Sequence, residues 1–380
     1  MPRDTITLGM PISLSGRYAM LGRQVLAGLQ CYVRAVNAAG GIYLSGSKRS
    51  LPVALIAHDD EGREKKARDL VERLINEDAI DVLLGPYGSG LTFAAAKAAD
   101  AAGMVLFNHS GSADSIFARQ SQWMVGIISP ASRYLCSVLD ALRARDPAAR
   151  TIAIVSTETG FAGEVAQGAV DWINKQGLEL SLHQRYPSGL EDFRDLVGVL
   201  KEEPPDWLLG VGRIEDDVRL AHELCEIRPE VKATALVVAA IDHFRQALGD
   251  ASDGFLAPSQ WEPQVRDAVD CGPLASEFLE RYRQASALSL DYPAAQAYAA
   301  GVIVQRCIET AGSLEQKALR DAARGLRCTS FYGPFAIDGE SGRQTAHPML
   351  TTQWQAGGKK IVWPPLVAEA TIVYPGPFRQ

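Results

Sequence analysis

Apolar residues return along this chain in two rhythms. Short continuous runs of Val, Leu, Ile and Ala alternate with longer stretches whose apolar positions recur every three or four residues. Ile6 to Ile12, Pro52 to His58, Asp81 to Leu84, Met104 to Phe107 and Trp123 to Ile128 read as buried strands. Gln24 to Ala38, Arg63 to Asn76 and Thr92 to Ala102 read as the helices between them, with Gly40-Gly41 and Gly103 as stops. The pattern then restarts. Strands are expected at Thr151 to Ser156, Leu178 to Tyr186, Trp207 to Val211 and Ala233 to Ala240, with an extended Phe255 to Pro258. Helices are expected at Phe161 to Gln176, Phe193 to Lys201, Glu215 to Glu226 and Phe244 to Leu248. A strand-helix alternation that runs twice predicts an α/β protein with two doubly wound parallel sheets.

The remainder is helical and then hairpin-like. Pro273 to Ser286, Tyr292 to Ala311 and Leu314 to Arg324 carry helical spacing. Extended segments flank the turn chemistry of Asp338-Gly339-Glu340-Ser341-Gly342, and Gly357-Gly358 separates Met349 to Gln355 from Lys359 to Trp363. A simple topology returns the helical segment to the first lobe and sends the last strands to the second. Residues 1–125 plus 257–335 then form lobe 1, and 126–256 plus 336–380 form lobe 2. The chain crosses three times, near Val125–Ser129, Leu256–Gln260 and Phe335–Pro348, which makes a three-strand hinge.

Leu83 to Ile116 is the stretch with chemical character. Two parallel strands end in loops on one sheet edge, Gly85-Pro86-Tyr87-Gly88-Ser89-Gly90 and Asn108-His109-Ser110-Gly111-Ser112. Hydroxyls and bare N–H groups at helix starts suit an anion. The same serines also suit helix capping.

Composition narrows the classes. At 380 residues the chain exceeds one ordinary core. The net charge of −7, with both signs mixed along the chain, gives no nucleic-acid footprint. No apolar run reaches the roughly 18 residues of a membrane span. The start at MPRDTITLGM already enters a strand and shows no signal peptide. The six cysteines have no CxxC spacing and no metal-ligand pattern, so neither a metal nor a cofactor is expected. Cys31, Cys136, Cys225 and Cys307 fall in helical patterns and read as buried thiols. Cys271 and Cys328 lie in or near loops and are available to a disulfide if the protein is exported. Enzyme signatures are missing: there is no G-x-S-x-G elbow, no P-loop, no G-x-G-x-x-G after a strand, and no H-x-x-x-H pair.

The sequence resembles type I periplasmic solute-binding proteins of the branched-chain amino acid (Leu/Ile/Val) group. The resemblance is carried in order by Ile6-Thr7-Leu8-Gly9 with Leu14-Ser15-Gly16, Asn37-Ala38-Ala39-Gly40-Gly41-Ile42, His58-Asp59-Asp60 and Leu84-Gly85-Pro86 with Ser89. Further on, Tyr298-Ala299-Ala300 leads to Ala311-Gly312-Ser313, and Phe331-Tyr332-Gly333-Pro334-Phe335 leads to Asp338-Gly339. The family implies a periplasmic receptor, monomeric, not an enzyme. Its two lobes close over a small ligand, which it delivers to the membrane permease of an ABC transporter. It also implies that an amino-acid carboxylate is held at Ser89 and at Ser110, Gly111 and Ser112.

The second lobe departs from the family pattern. Thr157-Glu158-Thr159-Gly160 replaces an expected Tyr, and Arg213 follows the third strand, where it would attract an anion or a planar polar group. An ion pair with Glu215, Asp216 or Asp217 would give Arg213 a purely structural role. Glu158 or Asp242 remains to accept an ammonium. Tyr18, Tyr87, Phe107, His109 and Phe161 are available to line a pocket, or to serve as core. The expected ligand is therefore an amino acid or a related organic or aromatic acid. A cytoplasmic or tethered ligand sensor with the same fold is the alternative.

Overall fold

The computed structural model describes residues 4–118, 121–265 and 268–376. The chain forms two compact units, one of Met1–Pro130 with Pro263–Pro348 and the other of Ala131–Glu262 with Met349–Gln380.

The first unit is built on a five-stranded sheet. Its spatial order is Val53–Asp59, Ile6–Ile12, Val82–Leu84, Leu106–Asn108, Met124–Gly126, and every pairing is parallel. Val82–Leu84 and Leu106–Asn108 are buried at every position, as a sheet covered on both faces requires. Helices Ala19–Ala38, Glu64–Asn76 and Ser89–Ala102 alternate with the strands. Helix Ser89–Ala102 ends at Gly103, whose φ of 64° is the left-handed stop glycine tolerates best.

The later helices Ala275–Ala285, Tyr292–Ala311 and Gln316–Gly325 belong to this same unit. Helix Tyr292–Ala311 packs against Ala19–Ala38 through two glycines. A Cβ on Gly28 would stand 2.1 Å from the Ala294 carbonyl oxygen, and one on Gly301 would stand 2.4 Å from the Tyr32 ring. Tyr32, Tyr298, Phe278 and Phe331 then form a run of ring contacts with centroid spacings of 5.7, 5.0 and 4.3 Å.

The second unit holds a seven-stranded sheet. Glu179–Tyr186, Thr151–Thr157, Trp207–Val211, Ala233–Leu236 and Leu256–Ser259 are parallel neighbours in that order. The antiparallel strands Leu350–Gln355 and Gly358–Trp363 then extend the sheet, so it is not parallel throughout. Its core gathers Trp207, Leu209, Ile152 and Ile154 from the strands with Val165, Ala169 and Ile173 from helix Gly160–Gln176.

Four local readings change. Helix Ser89–Ala102 starts three residues earlier than its apolar period suggests, because Gly88 takes φ 99° and turns the chain directly into the helix. The strand expected over Ala233 to Ala240 stops at Leu236, and the Ala239 N–H folds back to the Leu236 carbonyl at 3.1 Å. A small hairpin, Ile42–Leu44 with Arg49–Leu51, stands where no element was assigned, and the helical pattern noted at Cys136, given no bounds from the sequence, is helix Cys136–Arg145. No helix among the described residues is long and apolar enough to cross a membrane.

Candidate functional site

In parallel sheets the loops after the strands gather on one edge, and each unit presents such an edge. In the first unit the edge begins at Asp59. Its carboxylate accepts hydrogen bonds from the backbone N–H of Leu14 at 2.9 Å and of Glu61 at 2.9 Å, and from the Ser15 hydroxyl at 2.7 Å. Burial pushes its pKa up, but these donors outweigh it and hold the carboxyl at about 2. Asp59 thus pins the loop after strand Ile6–Ile12. The neighbouring Asp60 is fully buried, accepts from Ser13 at 2.5 Å, and is pushed up by burial.

The two serine loops meet beside it. Ser89 is the first residue of its helix rather than a loop residue, and the N-cap position is Gly88, so Ser89 is not a cap. Its hydroxyl oxygen instead accepts from the Ala113 N–H of the next loop at 3.1 Å. That leaves the Ser89 O–H proton for a further acceptor. Ser112 is 2% exposed, and its hydroxyl has no hydrogen-bond partner among the described residues.

Ser110 differs. Its hydroxyl lies 2.6 Å from His109 Nδ1 and accepts from Gln296 Nε2 at 2.8 Å, so two internal partners hold it. Burial pushes the His109 ring down to about 4, against the opposing pull of the Gly85 and His109 backbone, so the ring is neutral at pH 7. The loop itself is clamped by Asn108. Its Oδ1 accepts from the Ser110 and Gly111 N–H groups at 3.2 and 2.7 Å, and its Nδ2 donates to the Gly111 carbonyl at 2.6 Å. The Gly111 N–H is thereby occupied. Glycine fits there because a Cβ would stand 2.5 Å from the Thr92 side chain.

Aromatic side chains flank Ser89. Tyr18 meets Tyr87 edge to face at 5.9 Å, and the Tyr87 and Tyr292 hydroxyls are 2.6 Å apart. The Tyr18 ring also passes 3.6 Å from where a Gly88 Cβ would be. Phe107 is fully buried within its strand region and forms core, not rim. Tyr292, Gln296 and Asn108 were not singled out from the sequence. The turn signal of Asp291 ahead of Tyr292-Pro293, an N-cap followed by an early proline, is what marks a helix starting there.

The second unit's edge carries Thr157, Phe161, Arg213 and Asp242. Thr157 is buried, and its hydroxyl pairs with Ser188 at 2.9 Å. Phe161 stands edge to face with Tyr134 at 5.5 Å and packs on the unit's core. Asp242 opens the short helix Asp242–Leu248. Arg213 precedes helix Ile214–Ile227, and its guanidinium makes no ion pair among the described residues, although Glu215, Asp216 and Asp217 follow it. Asp216 instead accepts from the Gly189 N–H at 3.2 Å, and Asp217 from the Val238 N–H at 3.2 Å. Asp217 is fully buried beneath Gly212, where a Cβ would stand 2.2 Å from its Oδ1. Burial raises its pKa to about 7. This acid ties helix Ile214–Ile227 to the loop after strand Ala233–Leu236, a role its place in a run of surface-like acids concealed.

A sequence model of the periplasmic binding protein family matches residues 5–359. The chain belongs to this family. Among curated relatives, this periplasmic binding protein is 24% identical over 376 residues to Leu/Ile/Val-binding protein homolog 8 of Brucella abortus, covering 94% of this chain and 90% of the relative. Homolog 7 of Brucella abortus is 24% identical over 391 residues, covering 97% of this chain and 94% of the relative. Among solved structures, the branched-chain amino acid substrate-binding protein LivJ of Streptococcus pneumoniae, in complex with isoleucine, superposes with a TM-score of 0.80 at 18% identity, covering 95% of this chain and 100% of LivJ. A solute-binding protein of an R. palustris ABC transporter, in complex with benzoate, gives a TM-score of 0.80 at 19% identity, covering 97% and 99%. The resemblance to the branched-chain amino acid group and the two-lobed α/β class read from the sequence are borne out, and the family is one of solute-binding proteins rather than enzymes.

Proposed function

We propose that this binding protein is the exported receptor of an ABC importer, and that it takes a small carboxylate: an amino acid or a related aromatic or aliphatic acid. One observation carries the reading. The first unit's two serine loops are joined by the Ala113 N–H to Ser89 Oγ bond, in which Ser89 only accepts, and Ser112 has no hydrogen-bond partner, so among the described residues two hydroxyl protons are unspent at one sheet edge. Unspent donors beside helix Ser89–Ala102 suit a carboxylate, which accepts hydrogen bonds and favours a helix N-terminus. The Tyr18, Tyr87 and Tyr292 rings beside them suit an apolar or aromatic body on the same ligand.

The second unit's edge carries recognition groups of its own. Arg213, without an ionic partner among the described residues, offers charge to an anion or a planar polar group, and Asp242 offers an acceptor to an ammonium. An ABC permease partner and a periplasmic location follow from the relatives' roles and complete the proposal.

The test is a thermal-shift series with isoleucine, leucine, benzoate, 4-hydroxybenzoate and their amides. A carboxylate should raise the melting temperature where its amide does not, because only a ligand of the folded form stabilises it. If amides and acids act alike, the serine loops are not a carboxylate site. With the ligand found, Ser89→Ala and Ser112→Ala should each weaken binding by about 1–3 kcal/mol in calorimetry. Ser110→Ala should weaken it less, since His109 and Gln296 already occupy that hydroxyl. The opposite ranking would assign the carboxylate to Ser110.

A further inference from the structure

Away from the sheet edges, the first unit brings two cysteines together. The backbone N–H groups of Asp270 and Cys271 both donate to the Thr329 carbonyl, at 2.9 and 3.2 Å, and the Thr329 N–H donates back to Asp270 Oδ1 at 2.7 Å. These three bonds lay residues 270–271 alongside strand Cys328–Ser330, which pairs antiparallel with Gly333–Phe335. As a result the Cys271 and Cys328 sulfurs lie within 4.8 Å of each other, with an Asp270 carboxylate oxygen in the same cluster. Both cysteines are buried, at 4% and 9% exposure. Gly272 holds the approach tight: its φ is +78°, and a Cβ there would stand 2.8 Å from Val302.

We infer that Cys271 and Cys328 are a disulfide-forming pair that ties together the two ends flanking the first unit's helical segment. The bond would enclose helices Ala275–Ala285, Tyr292–Ala311 and Gln316–Gly325, the segment that delivers Tyr292 and Gln296 to the sheet edge. Both thiols are reduced in the structure. Backbone pairing fixes both cysteines, so no rearrangement of elements is needed to close the bond, only rotation of two side chains.

The chemistry is thiol–disulfide exchange with an external disulfide, either oxidised glutathione or the active-site disulfide of an oxidase. The Cys328 thiolate attacks one sulfur of that oxidant, breaks its S–S bond and expels one thiolate, which takes a proton from water. The Cys271 thiol gives its proton to solvent, and its sulfur attacks Cys328 Sγ in the mixed disulfide, expelling the second thiolate. The second thiolate also takes up a proton, so the protein loses two protons and two electrons, and the oxidant leaves as two thiols. The order is favoured because the S–H donated by Cys271 holds the Cys328 thiol below its ordinary range and raises that of Cys271. Cys307, on the enclosed helix, is also close enough to feel Cys328, but it is fully buried and burial pushes its thiol up.

The reduced full chain is incubated with oxidised glutathione, then alkylated in denaturant, digested with trypsin and weighed without reduction. Tryptic cleavage puts Cys271, Cys307 and Cys328 on separate peptides, 267–281, 307–317 and 328–343. The expected product is the 267–281 and 328–343 pair, two hydrogens lighter than the sum, with the other four cysteines alkylated. The oxidised chain should melt about 5 °C or more above the reduced one, because the cross-link restricts the unfolded chain. Cys271→Ser and Cys328→Ser should each abolish the linked pair; should either fail to fold, the wild-type mass measurement stands alone. Alkylation of both thiols after oxidation overturns the proposal, as does a link through Cys307. One bound zinc per chain that blocks oxidation also overturns it, and assigns Asp270, Cys271 and Cys328 to a metal instead.

Discussion

Gly28→Ala should destabilise the first unit by about 3 kcal/mol or more and weaken ligand binding with it. The added methyl would stand 2.1 Å from the Ala294 carbonyl oxygen and 2.8 Å from its carbonyl carbon. Both are backbone atoms, so no side chain can swing aside and helix Tyr292–Ala311 must shift as a body. Ala294 lies midway between Tyr292 and Gln296. A shift therefore moves the Tyr292 hydroxyl off Tyr87 and the Gln296 amide off Ser110. Overpacking against side chains costs typically 1–3 kcal/mol, and backbone against backbone has less room to relax. The check is a melting curve and a binding isotherm for the variant. An unchanged melting temperature would mean that the two helices are not locked through Gly28.

The second large effect is a pH dependence that Asp217→Asn removes. Burial raises the Asp217 pKa from 3.8 to about 7. Between those values the folded state holds a proton that the unfolded state has released. A raised pKa therefore contributes stability that is complete below about pH 4 and is lost as pH rises to about 7. The shift corresponds to about 2–4 kcal/mol, taking 1.36 kcal/mol per unit and allowing for local relaxation around the ion. Asparagine keeps the neutral shape and an acceptor for the Val238 N–H. The variant should match the wild type near pH 4 and exceed it at pH 8. Of the six tryptophans only Trp123 lies in the first unit, so fluorescence during urea unfolding reports mainly on the second. His109, in the first unit, titrates with the opposite slope: its lowered pKa makes stability fall as pH drops from 6.5 towards 4. The difference between variant and wild type cancels that background. Parallel pH profiles for the two proteins would place the Asp217 charge in a solvated site.

Much of the fold was legible because parallel sheets leave a plain signature. Runs such as Val82–Leu84 and Trp207–Val211 are buried on both faces, so they read as unbroken apolar strings. Helix Tyr292–Ala311 stands where its spacing put it, between Asp291 and Gly312. What failed were places where an apolar string outlasts its element. Val237 to Ala240 continues the strand's composition, yet the Val237 N–H makes the last ladder bond, to Gly210, and the Ala239 and Ile241 N–H groups turn back to Leu236 and Val238.

The serine loops at Ser89 and Ser110–Ser112 were visible as a composition. Which hydroxyls are free was not. That depends on Gln296, distant in sequence, on the buried ring of His109, and on an Asn108 clamp that looks like any loop asparagine. Hydrogen-bond bookkeeping of that kind needs coordinates, because a hydroxyl's partners are chosen in space.

The first unit is assembled from two separated pieces of chain, and that fixes a timetable. A growing polypeptide can complete the parallel sheet of Met1–Pro130 early, but the helix that fits Gly28 to Ala294 emerges only after all of Ala131–Glu262. Until then the face of helix Ala19–Ala38 that bears Gly28 and Tyr32 lacks its cover. The second unit has a similar debt in its antiparallel strands, Leu350–Gln355 and Gly358–Trp363, which arrive last. Neither half can reach its final stability during synthesis. Such long-range closure makes folding slow and leaves apolar surface open to passing chaperones or to aggregation. For the exported receptor proposed above, this delay is an asset: lateness is written into the order of its segments.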